Sequence, residues 1–113
     1  GSNVLIVGVA YKKDINDTRE SPALDIIQLL KNEGATIDYY DPYVPKLVYN
    51  DIQMESISEL SKNKLNNYDL CAIITDHSNI NYKNIEKNCD LIIDTRNVFQ
   101  KNISEHIKRL GQG

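Results

Sequence analysis

The cations Lys12, Lys13 and Arg19 are crowded into one short segment, between the apolar run Val4 to Val7 and the helix-start signal Ser21-Pro22. In an open α/β sheet, a loop joining a buried strand to a helix lies outside the strand's carboxyl end, where ligands bind. Ammonium and guanidinium groups at that place suit a phosphorylated ligand. Lys12, just beyond the strand, reads equally well as a ligand for a phosphate or sugar oxygen and as a solvated surface lysine. Lys13, beside Asp14, reads as solvated. Arg19 could fork onto a phosphate, but a local pair with Asp17 or Glu20 is the simpler expectation. Gly8 is the only glycine in the segment, so the three-glycine fingerprint that brings backbone to a dinucleotide pyrophosphate is absent. Side chains must supply much of any phosphate binding.

Other polar residues sit where apolar runs end. Arg96 follows D-L-I-I-D, Asp90 to Asp94, and offers either a bidentate fork or a structural pair with Asp94. Thr75-Asp76-His77 follows D-L-C-A-I-I-T, where His77 could be a base or ligand and Asp76 an acceptor. Such a triplet more often caps the next helix, and that is the expectation here. The other histidine, His106, is far along the chain, which argues against a metal site. Tyr39, Tyr40 and Tyr43 flank Asp41-Pro42 and are expected to pack with their hydroxyls wet rather than to wall a base or sugar. Cys71 and Cys89 fit no metal spacing and read as small hydrophobes. A GxSxG elbow, a Walker loop, an HExxH pair and a CxxC pair are all missing, so no complete reaction centre is assembled.

These residues need a scaffold, and the periodicity supplies one. Val4 to Val7 reads as a strand covered on both faces. Ser21 as N-cap and Pro22 at the first helical position start a helix carrying Ala23, Ile26, Ile27 and Leu30, which should stop at Gly34. Ala35 to Tyr40 follows as a second strand and completes a right-handed βαβ unit. Turn signals dominate from Pro42 to Ser56, with Ile52 to Met54 as a short extended piece. Ser56 is expected to cap a helix through about Lys64, with Glu59 completing a capping box. Asp69 to Thr75 and Asp90 to Asp94 are the third and fourth strands, separated by a short helix from Asn81 to Lys87. Ser104 to Leu110 reads as a final amphipathic helix, Ile107 and Leu110 inward, Glu105, Lys108 and Arg109 outward. The alternation predicts a single domain: a doubly wound, mostly parallel, Rossmann-like sheet of four to five strands with helices on both faces.

With 113 residues the chain can bury a core without disulfides or metal. A formal charge of -3 leaves no broad basic face, so nucleic-acid binding is not expected and any anion site must be local. No run approaches the roughly 20 apolar residues of a membrane span, and no signal peptide precedes the first strand, so the cytoplasm is the expected compartment. Gly1 and Ser2 read as a cloning remnant, with the natural chain expected to continue upstream and residues 3–113 forming the domain.

Three blocks resemble a known family: Gly8-Val9-Ala10-Tyr11-Lys12; Asp17 to Ala23, D-T-R-E-S-P-A; and Tyr40 to Pro45, Y-D-P-Y-V-P. They are similar to the C-terminal, UDP-binding domain of the UDP-glucose/GDP-mannose dehydrogenase family, over nearly the whole chain. Thr75-Asp76-His77-Ser78 and Asp94-Thr95-Arg96-Asn97 look most like members acting on UDP-N-acetylhexosamines in bacterial surface-polysaccharide synthesis. Such enzymes oxidise the C6 alcohol of a nucleotide sugar to a carboxylate with two NAD⁺. They use a cofactor domain and a catalytic cysteine that lie N-terminal to this domain, and a central helix that supports a homodimer. The resemblance implies that Tyr11, Lys12 and Arg96 contact the UDP-sugar and that Arg19 reaches NAD held by the other domain. It also implies that neither Cys71 nor Cys89 is the nucleophile and that this segment is inactive alone. Two other readings remain at the sequence level. A signalling receiver would place its phosphoacceptor near Asp76, but would need acidic residues where Tyr11-Lys12-Lys13 stand. A nucleotide-binding regulator without chemistry is the third.

Overall fold

Five parallel strands form the centre of the computed structural model, which describes residues 2–96, 98, 99 and 106–109. Gly1 of the expected remnant, Asn97, and residues 104, 105 and 110 of the expected last helix lie outside that description. In chain order the elements are β1 (Asn3–Val7), α1 (Pro22–Asn32), β2 (Thr36–Tyr40), β3 (Lys46–Tyr49), β4 (Ile52–Glu55), α2 (Lys62–Leu65), β5 (Leu70–Ile73), α3 (Tyr82–Asn88), β6 (Ile92–Asp94) and β7 (Ile107–Arg109). The main sheet runs β2-β1-β5-β6-β7, every pairing parallel, and β3 and β4 form a separate antiparallel hairpin.

The apolar run of β1 is explained by its central place. Val4 and Ile6 face one side with Ala23, Leu24 and Ile27 of α1 and with Leu47 and Ile52 of the hairpin. Leu5 and Val7 face the other with Leu65 of α2 and Ile85 of α3. Each such side chain, fully withdrawn from water, contributes about 1.5–3 kcal/mol, which is why the strand tolerates no alternation with polar residues. Helices therefore cover both faces. α1 begins as its sequence requires: the Ser21 hydroxyl accepts from the Ala23 amide at 3.2 Å, with Pro22 in the first turn. It ends before Gly34, whose φ of +92° suits a left-handed exit.

Three expectations are corrected. Ser56 caps no helix. Its hydroxyl accepts from the Asp41 amide at 2.9 Å and donates to the Ile57 carbonyl at 3.0 Å, binding it to the end of β2, where it bridges Tyr39. Ser61 caps the much shorter α2 instead, accepting from the Lys64 amide at 3.2 Å. The turn-rich stretch after Pro42 holds the hairpin, closed at Asn50, whose φ of 54° is one that asparagine tolerates. Ile107 to Arg109 is a strand, not a helix, because β6 has an open edge and Ile107, 3% exposed, completes the core beside it. So short an apolar window carries no decisive period.

Candidate functional site

The strand order decides where a ligand crevice falls. The chain moves from β1 outward to β2, then crosses to β5 on the other side of β1, so the switch point lies between β1 and β5. The loops that leave their carboxyl ends carry Tyr11-Lys12-Lys13 and Thr75-Asp76-His77.

The first of these loops is held from its first peptide. Gly8 has φ +86°, and a Cβ there would lie 2.8 Å from the Thr75 nitrogen and against the Thr75 carbonyl, so β1 and the end of β5 approach backbone to backbone. The Val9 and Ala10 amides donate to Asp41 Oδ2 at 2.8 and 3.2 Å. The Ala10 carbonyl accepts from the Thr75 hydroxyl at 2.5 Å and the Ser21 hydroxyl at 3.4 Å. Both amides and the Ala10 carbonyl of this buried segment thus have partners, as burial favours. The Tyr11 amide then donates to the Asp17 carbonyl at 2.6 Å, and the Tyr11 side chain emerges 43% exposed. Lys12 is exposed, its Nζ 5.8 Å from the centroid of the Tyr11 ring.

Asp41 is the hub. It is 1% exposed and also accepts His77 Nε2–H at 2.8 Å and the Tyr43 amide at 2.8 Å. His77, fully buried, accepts the Asp14 amide at Nδ1 over 2.6 Å. A nitrogen that accepts an N–H carries no proton, so the ring is a neutral imidazole with its hydrogen on Nε2. Asp14, at φ 63°, binds the Ser78 amide and hydroxyl with its two oxygens, each at 2.7 Å. Those bonds hold its carboxyl below the usual carboxylate range. His77 therefore does not cap the next helix, as expected above; Asn81 does, accepting from the Asn84 amide at 3.1 Å.

Arg96 leaves β6 on the same edge of the sheet. Its Nε lies 3.6 Å from Asp76 Oδ1, an ion pair too long for a hydrogen bond. Asp94, the partner suggested by sequence, instead accepts the backbone amides of Arg96 and Phe99 at 3.0 and 2.9 Å. Lys12 and Arg96 thus flank one three-residue loop: Ser78 anchors the Lys12 side through Asp14, and Asp76 anchors Arg96. The strands that carry them are two places apart, about 10 Å at the sheet spacing. Arg19 is paired bidentately with Asp17, Nε–Oδ1 3.1 Å and Nη2–Oδ2 3.0 Å, with its side chain 88% exposed. The pair raises Arg19 and lowers Asp17 from their ordinary values, and water screens it.

Cys71 and Cys89 are buried free thiols with their Sγ atoms in contact. The hydrogen bond to Cys89, then burial, pushes the Cys71 thiol upward, opposite to what a nucleophile requires. Among the described residues no cluster of three or more His, Cys, Asp or Glu side chains is arranged for a metal ion, and no helix is long and apolar enough to cross a membrane. The turn between β1 and α1 does not fit an NAD cradle: Gly8 is filled by Thr75 backbone rather than open to a pyrophosphate, and the first helix starts only at Pro22.

Asp14, Asp41 and Ser78 had not been singled out as site residues. Asp41 had read as a turn signal, although a charged residue at the end of a buried parallel strand is itself a signal of local hydrogen bonding.

A doubly wound parallel sheet with a pinned, cation-bearing loop at its switch point defines a class: a Rossmann-like α/β domain. The model of the UDP-glucose/GDP-mannose dehydrogenase family, UDP binding domain, matches residues 5–101, and the chain belongs to that family. It is 33% identical over 122 residues to the UDP-N-acetyl-D-mannosamine dehydrogenase of Methanococcus aeolicus, covering 96% of this chain and 26% of that protein. It is 33% identical over 106 residues to UDP-glucose 6-dehydrogenase TuaD of Bacillus subtilis, covering 88% and 23%. Among solved structures, the UDP-N-acetyl-mannosamine dehydrogenase Cap5O from S. aureus matches with a TM-score of 0.70 at 30% identity, over 96% of this chain and 26% of that one. The chain spans about a quarter of the length of these relatives.

Proposed function

We propose that this chain is the UDP-sugar-binding domain of a longer NAD-dependent nucleotide-sugar 6-dehydrogenase, acting on a UDP-N-acetylhexosamine of the mannosamine or glucosamine type. The observation that carries this is the pinned Val9–Ala10 peptide, which presents Tyr11 and Lys12 at the switch point across one loop from Arg96. Lys12 and Arg96 supply the positive charge for the diphosphate and Tyr11 an aromatic edge for the nucleoside or sugar. Arg19, once released from Asp17, reaches NAD held by an N-terminal domain of the same polypeptide. The overall reaction converts a C6 alcohol, one water and two NAD⁺ into a carboxylate, two NADH and three protons, with the nucleophile and cofactor site outside this segment, which is inactive alone. The same reading makes the enzyme a cytoplasmic homodimer serving surface-polysaccharide synthesis.

UDP-glucose is the second substrate reading, favoured by 42% identity over 57 residues to the UDP-glucose 6-dehydrogenase of Drosophila melanogaster. NADH formation by the full-length enzyme with UDP-N-acetylmannosamine, UDP-N-acetylglucosamine and UDP-glucose separates the two. Lys12→Ala should raise KM for the preferred sugar roughly 10- to 100-fold, the worth of one charge-assisted hydrogen bond. Arg19→Ala should weaken NAD use instead. Turnover of none of the three sugars overturns the proposal, and unchanged kinetics in Lys12→Ala remove that lysine from the site.

A further inference from the structure

We propose that His77 is a positioning residue: a neutral imidazole fastened between Asp41 and the Asp14 amide that fixes the loop presenting Tyr11 and Lys12. The inference rests on the reading above that this loop binds the nucleotide sugar, and its own observations are independent of that reading.

One ring closes the loop on itself. At the loop's start, Asp41 Oδ2 takes the Val9 and Ala10 amides together with His77 Nε2–H. Near its end, His77 Nδ1 takes the Asp14 amide. The exposed residues 11–13 lie between these two anchors, with the Tyr11 amide's bond to the Asp17 carbonyl as a further tie, so the ring's width sets the span across which they are presented. The ring cannot swing away. It is fully buried, lies 4.7 Å from the Tyr43 ring by centroids, and its own carbonyl accepts the Tyr82 hydroxyl at 2.8 Å. With Nδ1 accepting and Nε2 donating, neither nitrogen is left for a ligand proton or a metal, which disposes of the base and ligand roles considered for His77. Asp14 sits at φ 63°, a conformation that aspartate keeps when its surroundings hold it, and the clamp supplies that hold together with Ser78.

The two amide side chains divide the ring's duties. Asparagine carries an oxygen near the place of Nδ1 and can still accept from Asp14. Glutamine reaches the place of Nε2 and can still donate to Asp41, but leaves the Asp14 amide without an acceptor. In the full-length enzyme, His77→Gln should raise KM for the nucleotide sugar roughly tenfold, because the competent loop is then a minor population, with kcat changed far less. His77→Asn should stay within about threefold of the parent. In the 113-residue chain, the Asp14 amide should exchange with solvent at least about tenfold more slowly than those of Lys12 and Lys13, and His77→Gln should abolish that difference. Nitrogen-15 spectra of the unaltered chain should show a protonated Nε2 and a bare Nδ1, a reading that needs no variant to fold. A protonated Nδ1, rapid Asp14 exchange in the unaltered chain, or equal losses in the Asn and Gln variants would each overturn the clamp. If instead exchange behaves as stated while Lys12→Ala leaves KM unchanged, the clamp stands and the substrate reading of the loop fails.

Discussion

Replacing Asp41 by asparagine changes one atom's chemistry at the point where β1, β2 and β5 converge. The carboxylate accepts four hydrogen bonds, three at Oδ2 and one from the Tyr43 amide at Oδ1. The better orientation of an asparagine leaves its oxygen with the three donors and turns its amide toward Tyr43. Three bonds then pass from charge-assisted to neutral, losing about 1 kcal/mol each, and one becomes a donor facing a donor, at about 1–3 kcal/mol. Burying an amide instead of a charge returns on the order of 2 kcal/mol. The net loss is about 2–4 kcal/mol, a large share of the 5–15 kcal/mol typical of a domain. Urea unfolding followed by circular dichroism should show the midpoint falling by roughly 1–3 M with the slope unchanged. Asp51→Asn, at an exposed turn residue, should stay within about 0.5 kcal/mol. Equal, small losses in both variants would refute the account of Asp41 as the hub.

Gly8→Ala should destabilise by roughly 2–6 kcal/mol, combining a positive φ with overlap against Thr75 backbone that cannot yield. Gly34→Ala, with a similar φ but nothing within 4 Å, should lose only about 1–2 kcal/mol, and equal melting shifts would contradict the close approach at Gly8. Ser78→Ala should let the Asp14 carboxyl rise only part of the way toward its ordinary value in an NMR titration, since the backbone amide of residue 78, the larger cause of the lowering, stays and only the hydroxyl bond is lost. The folded value being depressed, the stability Asp14 lends is present above about pH 3.8 and is lost as pH falls through the lower folded value; Ser78→Ala should weaken that acid dependence. Cys71 and Cys89 should resist a thiol reagent in the native chain and react in urea, and fast native labelling would show the β5–α3 packing to be wrong.

Local chemistry made much of the fold legible. The three apolar runs, Ser21-Pro22 before a helical stripe, and Gly34 after it each act within a few residues, and each became the expected element. Ser56 and Ile107 did not, because their fates depend on partners remote in sequence: the Asp41 amide for one and an open sheet edge for the other. Lys12 and Arg96 could be nominated from strand ends alone, and Tyr11 from the family resemblance. That Arg96 pairs with Asp76 and not with Asp94 depended on the strand order.

The amino-acid sequence by itself determined that the chain winds strands and helices alternately, that its cations follow β1, and that no three-glycine cradle exists, because these are properties of type and spacing along the backbone. Only the tertiary structure decided that Asp41, His77 and Asp14 meet. Residues separated by more than thirty positions become neighbours when parallel strands end side by side, and no local preference encodes which strand lies next to which.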